Sequence, residues 1–240
     1  MRMIIGILVC MVMMATIMPV SGTMNLLINY DHIIKPNYKT ISYDPLHGGW
    51  IEERDGVTII HVSGTHYEIG YQTGYLLRDR IEHIYRILLD SANPELYNKI
   101  LDLWNSIRVF TTPEMYIEEM QGLADGSGRS FEEVAVFSIG MPEFIMKYGC
   151  SELVGWGPAT SDGELYHYYS ADIPKIKDPE TNTHLHDNQV LMIRDPSDCY
   201  ASVTVIIPGC VGYNAGFNEK AISIAAEGSP SSDITDNAIS

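Results

Sequence analysis

The chain has 240 residues, enough for one large domain or two small ones. Hydrophobic residues make up 45% and charged residues 19%, an ordinary globular composition that excludes extensive disorder. The formal charge is −16 and no basic stripe offsets it, so phosphate backbones are repelled and no nucleic acid partner is expected.

Met1-Arg2 is a short basic start, Met3 to Met18 is apolar except for Thr16, and Pro19-Val20-Ser21-Gly22 follows with small residues. This is the layout of a secretory signal over residues 1–22, with cleavage near Ser21 to Thr23. A retained anchor is the alternative, but 16 residues rise only ~24 Å as a helix, short of a ~30 Å hydrocarbon core. The reading is an exported protein, secreted or extracytoplasmic. Of four cysteines, Cys10 lies in the signal, leaving Cys150, Cys199 and Cys210. An odd count in an exported chain points to an intermolecular partner or a reactive thiol. Cys199 and Cys210 could pair across two strands unless geometry forbids it, which would leave Cys150 alone.

Residues 23–49 read as an extended lead-in. Gly56 to Val62 is β-branched and predicts a strand. Thr65 with Glu68 makes a capping box, opening a helical pattern that runs from Ile69 through Asp90. Gly70 and Gly74 lie four apart on one face, where a missing Cβ lets another backbone come close. Pro94 starts a helix to about Phe110. A third runs from Glu114 to Leu123 and ends in a loop at Ala124 to Gly128. Ser130 caps a fourth, with Glu132 and Glu133 favourable in its first turn; it runs toward Ile139, and Met141-Pro142 interrupts it.

After Cys150 the texture changes. Strands are predicted over Ser151–Trp156, Glu164–Ala171, Gln189–Arg194, Tyr200–Ile207 and Ala221–Ala226, with a polar loop over 174–188 and a glycine-rich connection over Tyr213–Asn218. Short strands at this spacing mean antiparallel sheet, and a helical front half followed by sheet reads as α+β. His184-x-His186-Asp187 carries metal-ligand residue types, but it sits in the polar loop with no third distant ligand, and solvated loop is the preferred reading. No phosphate-cradling loop, Ser-His-Asp arrangement or CxxC pair is visible.

Gly149-Cys150-Ser151 marks the change from helix to strand. If the bond before Cys150 were cut, that residue would hold both a nucleophilic sulfur and a free α-amine of pKa ~7.7–8.0. The amine can take the thiol proton without a separate histidine. Gly149 suits the cut, having no side chain to block attack on its carbonyl.

The run Cys150-Ser151-Glu152-Leu153-Val154-Gly155-Trp156-Gly157-Pro158-Ala159-Thr160-Ser161-Asp162-Gly163, returning through His167 to Asp172, resembles the nucleophile hairpin of the isopenicillin N acyltransferase-like autoproteolytic hydrolases. Gly64 to Leu77, Gln121 to Gly126, Pro208 to Gly212 and Gly216 to Glu219 add matches in the same order, so the likeness runs from about residue 56 to about 228. The resemblance implies an amino-terminal-nucleophile αββα sandwich, two antiparallel sheets between helical layers, short at its C-terminal end. It also implies a precursor cut between Gly149 and Cys150 into a helical α-chain (23–149) and a β-chain (150–240) that stay partners.

The implied activity is that of a cysteine amidase or acyltransferase acting on a small-molecule or peptide N-acyl substrate through a thioester, with no cofactor and no metal. Cys150 would be the nucleophile, and Asp172, at the family's aspartate position, would orient the new amine. Tyr169 and Ser170 stand where the family has arginine and asparagine and would line the substrate site. Tyrosine gives one hydrogen bond and no positive charge. Relatives draw an oxyanion asparagine from a later part of the β-chain; here Asn218 and Asn214 are available, with Asn218 the candidate. The alternatives are a phospholipase B-like hydrolase of the same fold, or an inactive relative serving as a binding or structural module. Substrate identity and self-association stay open at this level.

Overall fold

The computed structural model describes residues 48–90, 93–111, 113–146, 150–172, 175–178, 180–212 and 215–226. The expected signal, the lead-in to residue 47, Gly149 and Asn214 lie outside these. Chain order is β1 (Trp50–Arg54), β2 (Val57–Gly64), α1 (His66–Leu76), α2 (Arg78–Leu88), α3 (Pro94–Thr111), α4 (Glu114–Ser127), α5 (Phe131–Met146), then β3 (Cys150–Gly155), β4 (Tyr166–Ala171), β5 (Val190–Pro196), β6 (Ser202–Ile206), β7 (Ala215–Asn218) and β8 (Ser223–Ala225). The class is α+β. Among the described residues the strands form a six-stranded sheet, ordered β1-β2-β5-β6-β7-β8, and a separate two-stranded sheet of β3 and β4.

Several elements form where the local chemistry says they should. Thr65 and Glu68 close the expected capping box, with Thr65 N–H donating to Glu68 Oε2 at 2.8 Å and Glu68 N–H to Thr65 Oγ1 at 3.3 Å. Ser130 and Glu133 repeat the device ahead of α5. The expected single helix through Asp90 is instead two, parting at Leu77 (φ −111°, ψ 16°). The break lets Leu77, Ile81, Ile84 and Tyr85 all reach the core.

Other expectations need correcting. Ala124 to Ser127 is helix, not loop; α4 ends at Gly128, whose φ of 81° makes it a left-handed cap. The reason is tertiary. Gly70 and Gly74 on α1 meet Gly122 and Gly126 on α4 backbone to backbone. A Cβ on Gly70 would stand 2.0 Å from the Glu119 carbonyl oxygen, and one on Gly122 would stand 2.0 Å from that of Tyr67. That packing outweighs the poor helix propensity of glycine. Helix α5 runs past Pro142, which forfeits one backbone bond without ending it. Strand β1 forms between the expected lead-in and the first expected strand, where no element was expected, and β7 lies where a glycine-rich connection was expected.

The sheet is not wholly antiparallel: β2 and β5 pair in parallel, from Ile59↔Leu191 to Gly64↔Pro196. A parallel neighbour needs a crossover, here made by α1–α5 and the β3–β4 hairpin. The core lies where the helices cover the sheet, with Ile60, Met192 and Ile206 packed against Ile69, Ile84, Leu123 and Val134.

Candidate functional site

The β3–β4 hairpin carries the candidate nucleophile. Its register runs from Cys150↔Ala171 to Gly155↔Tyr166. Side chains alternate along each strand and directly opposed residues share a face. Cys150, Glu152 and Val154 therefore lie with Ala171, Tyr169 and His167 on one face. Ser151 and Leu153 lie with Ser170 and Tyr168 on the other.

Cys150 is half-buried, packed against the margin of the core. Its Sγ is 3.5 Å from the Tyr169 hydroxyl, either atom being able to donate. So the fold brings Tyr169 to the sulfur and turns Ser170 away from it, paired with Ser151. Asp172 is exposed, one residue beyond Cys150's register partner, and makes no side-chain hydrogen bond or ion pair among the described residues. Asn218 closes the β7–β8 turn: its Oδ1 accepts from the backbone N–H of Lys220 at 3.0 Å and of Ile222 at 3.1 Å. That is turn chemistry for its carbonyl.

The same hairpin face holds an arrangement the sequence did not show. His167 Nε2 is 2.6 Å from Glu152 Oε1, and His167 Nδ1 is 2.7 Å from Ser223 Oγ on β8. This Ser-His-Glu relay ties the hairpin to the last strand of the large sheet. Alternation alone places His167 beside Tyr169 and Glu152 beside Cys150; Ser223, 56 residues from His167, needed the fold.

The remaining thiols are not disulfide-bonded. Cys199 and Cys210 are free, standing beyond opposite ends of β6. Burial pushes the Cys210 thiol up to about 12, and its Sγ donates to the Ile207 carbonyl at 3.5 Å. His184 and His186 stack ring on ring at 5.1 Å beside a short 3-10 turn, Leu185–Asn188, rather than converging on a third ligand.

No protein-family model matches the chain. It is 27% identical over 193 residues to Protein dcd1A of Dictyostelium discoideum, covering 68% of this chain and 42% of that protein. Against Protein dcd1B of the same organism it is 26% identical over 145 residues, 50% of this chain and 29% of that protein. An uncharacterized protein of Archaeoglobus fulgidus is 26% identical over 226 residues, 81% of this chain and 36% of its own length. The chain thus spans less than half the length of each of these curated relatives.

Proposed function

We propose that the chain is an exported, self-cleaving cysteine amidase or acyltransferase of the amino-terminal-nucleophile type, with Cys150 as nucleophile. The observation that carries this reading is the position of Cys150: first residue of β3, half-buried, its sulfur beside the Tyr169 hydroxyl. After scission of the 149–150 peptide bond, the new α-amine of Cys150 takes the thiol proton. The sulfur attacks the substrate's amide carbonyl, and the same nitrogen returns the proton to the departing amine. A thioester is left on Cys150, released to water or to an acceptor amine. Asp172, one residue past the register partner of Cys150, would orient that amine.

Tyr169 donates its phenol hydrogen toward the sulfur or the carbonyl oxygen. It brings no positive charge, so the substrate group it meets is neutral rather than anionic.

Intact-mass analysis of the purified full chain tests the reading. The expected result is two fragments, the second beginning at Cys150, with cleavage abolished in Cys150→Ala and an acyl-thioester adduct formed from activated N-acyl probes. A chain that stays whole and takes up no acyl group overturns it in favour of a binding or structural module.

A further inference from the structure

The parallel register of β2 and β5 brings together three ligand-type side chains that belong to no part of the Cys150 hairpin. Gly64 pairs with Pro196, and the Ser197 N–H donates to the Gly64 carbonyl at 2.9 Å. His66, the first residue of α1, therefore meets Asp198 and Cys199 in the β5–β6 turn. His66 Nε2 lies 3.2 Å from Asp198 Oδ1, and one ligand atom from each of the three residues falls within 4.8 Å of the others.

The imidazole is held from behind. Its Nδ1 faces Glu119 Oε2 at 3.4 Å; Glu119 is 1% exposed, and Arg194 Nη2 donates to the same oxygen at 2.7 Å. A buried carboxylate on Nδ1, with Nε2 facing Asp198, is the arrangement that orients metal-binding histidines. We propose that His66, Asp198 and Cys199 bind a zinc ion, with Glu119 orienting the imidazole and water in the fourth position.

The donor set selects the metal. Calcium and magnesium take oxygen ligands, whereas a thiolate, an imidazole and a carboxylate suit zinc. Zinc bonds of ~2.0–2.3 Å in a tetrahedron hold ligand atoms about 3.3–3.8 Å apart, so the set must close by about 1 Å. His66 is buried, while Asp198 and Cys199 are exposed in the β5–β6 turn. On binding, the Cys199 thiol loses its proton to solvent and a zinc–thiolate bond forms. The resemblance implied no metal, and His66 and Asp198 stand 132 residues apart in the sequence, so their meeting is a product of the fold.

The test titrates the reduced full chain with zinc, and with cobalt as a spectroscopic probe. One equivalent binds, and cobalt gives a near-ultraviolet thiolate charge-transfer band with the visible bands of a tetrahedral site. Cys199→Ser abolishes the charge-transfer band; Cys199→Ser and Asp198→Asn, both at exposed positions, each weaken zinc binding at least about tenfold. Glu119→Gln keeps the stoichiometry and weakens binding about 10–100-fold, as for other outer-shell partners. X-ray absorption of the zinc-loaded chain shows one sulfur among nitrogen and oxygen ligands, a readout that needs no buried variant to fold. Failure to bind one equivalent, or a charge-transfer band that survives Cys199→Ser and vanishes in Cys150→Ser, overturns the proposal.

Discussion

The Tyr169 hydroxyl stands 3.5 Å from the Cys150 sulfur, although Ala171, not Tyr169, is the cysteine's register partner. The contact is diagonal: the long phenol reaches along β4 toward the end of the hairpin where Cys150 begins β3. A hydroxyl at that place can donate to the negative charge that develops as the sulfur attacks a carbonyl, and hydrogen bonds to charged groups contribute ~1.5–3 kcal/mol. Tyr169→Phe is expected to slow chain cleavage and acylation of Cys150 by roughly 10–100-fold with the fold intact. Fragment appearance by mass spectrometry over time checks it; an unchanged half-time removes Tyr169 from the chemistry.

Backbone-to-backbone contact between α1 and α4 sets a second expectation. Alanine normally stabilises a helix interior relative to glycine by ~1 kcal/mol. At Gly122 the sign reverses, because the added Cβ would fall 2.0 Å from the Tyr67 carbonyl oxygen. Gly122→Ala is expected to cost about 3 kcal/mol or more, a fall in Tm of about 6–12 °C. Gly140→Ala is the control: its Cβ would meet only the tip of Ile100, at 3.2 Å, and the Tm should barely move.

Asp178 predicts an acid limb in the stability curve. Burial alone would raise its carboxyl. The Thr181 hydroxyl at 2.7 Å, the Glu180 N–H at 2.9 Å and Arg86 Nη2 at 2.5 Å outweigh burial and hold it well below its ordinary 3.8. A depressed folded-state value means the stabilisation is complete above the unfolded value and is lost as pH falls below it. Urea midpoints measured from about pH 6 down to about pH 2 should drop more steeply for the parent chain than for Asp178→Asn, which should also be weaker at neutral pH. Parallel slopes would show that the carboxylate is not linked to folding.

Thiol labelling separates the cysteines. With its thiol pushed up to about 12 by burial, Cys210 should resist iodoacetamide at about pH 8 in the folded chain, while exposed Cys199 reacts. Peptide mapping after a timed pulse reads this directly. Equal modification of the two without denaturant would contradict the burial of Cys210.

Much of the fold was legible because its signals are local. Thr65 with Glu68 and Ser130 with Glu133 mark helix starts within four residues, and the Gly70/Gly74 pair announced a close backbone approach. Asp55-Gly56, with φ of 52° and 81°, is the turn of the β1–β2 hairpin, although Gly56 was expected to open the strand. What could not be read depends on distance along the chain. The partner glycines on α4, the parallel join of β2 to β5, the relay from Glu152 through His167 to Ser223, and the meeting of His66 with Asp198 all require the folded state. At the hairpin, strand alternation sufficed to predict that only one of Tyr169 and Ser170 would share a face with Cys150. Which one follows from the register.

The pairing of β2 with β5 also determines what a break near residue 149 would do. One strand precedes that bond and the other follows it, and six consecutive residue pairs bind them side by side. Severing the backbone there would liberate nothing: a denaturing gel would show two bands, while sedimentation would still report a single particle.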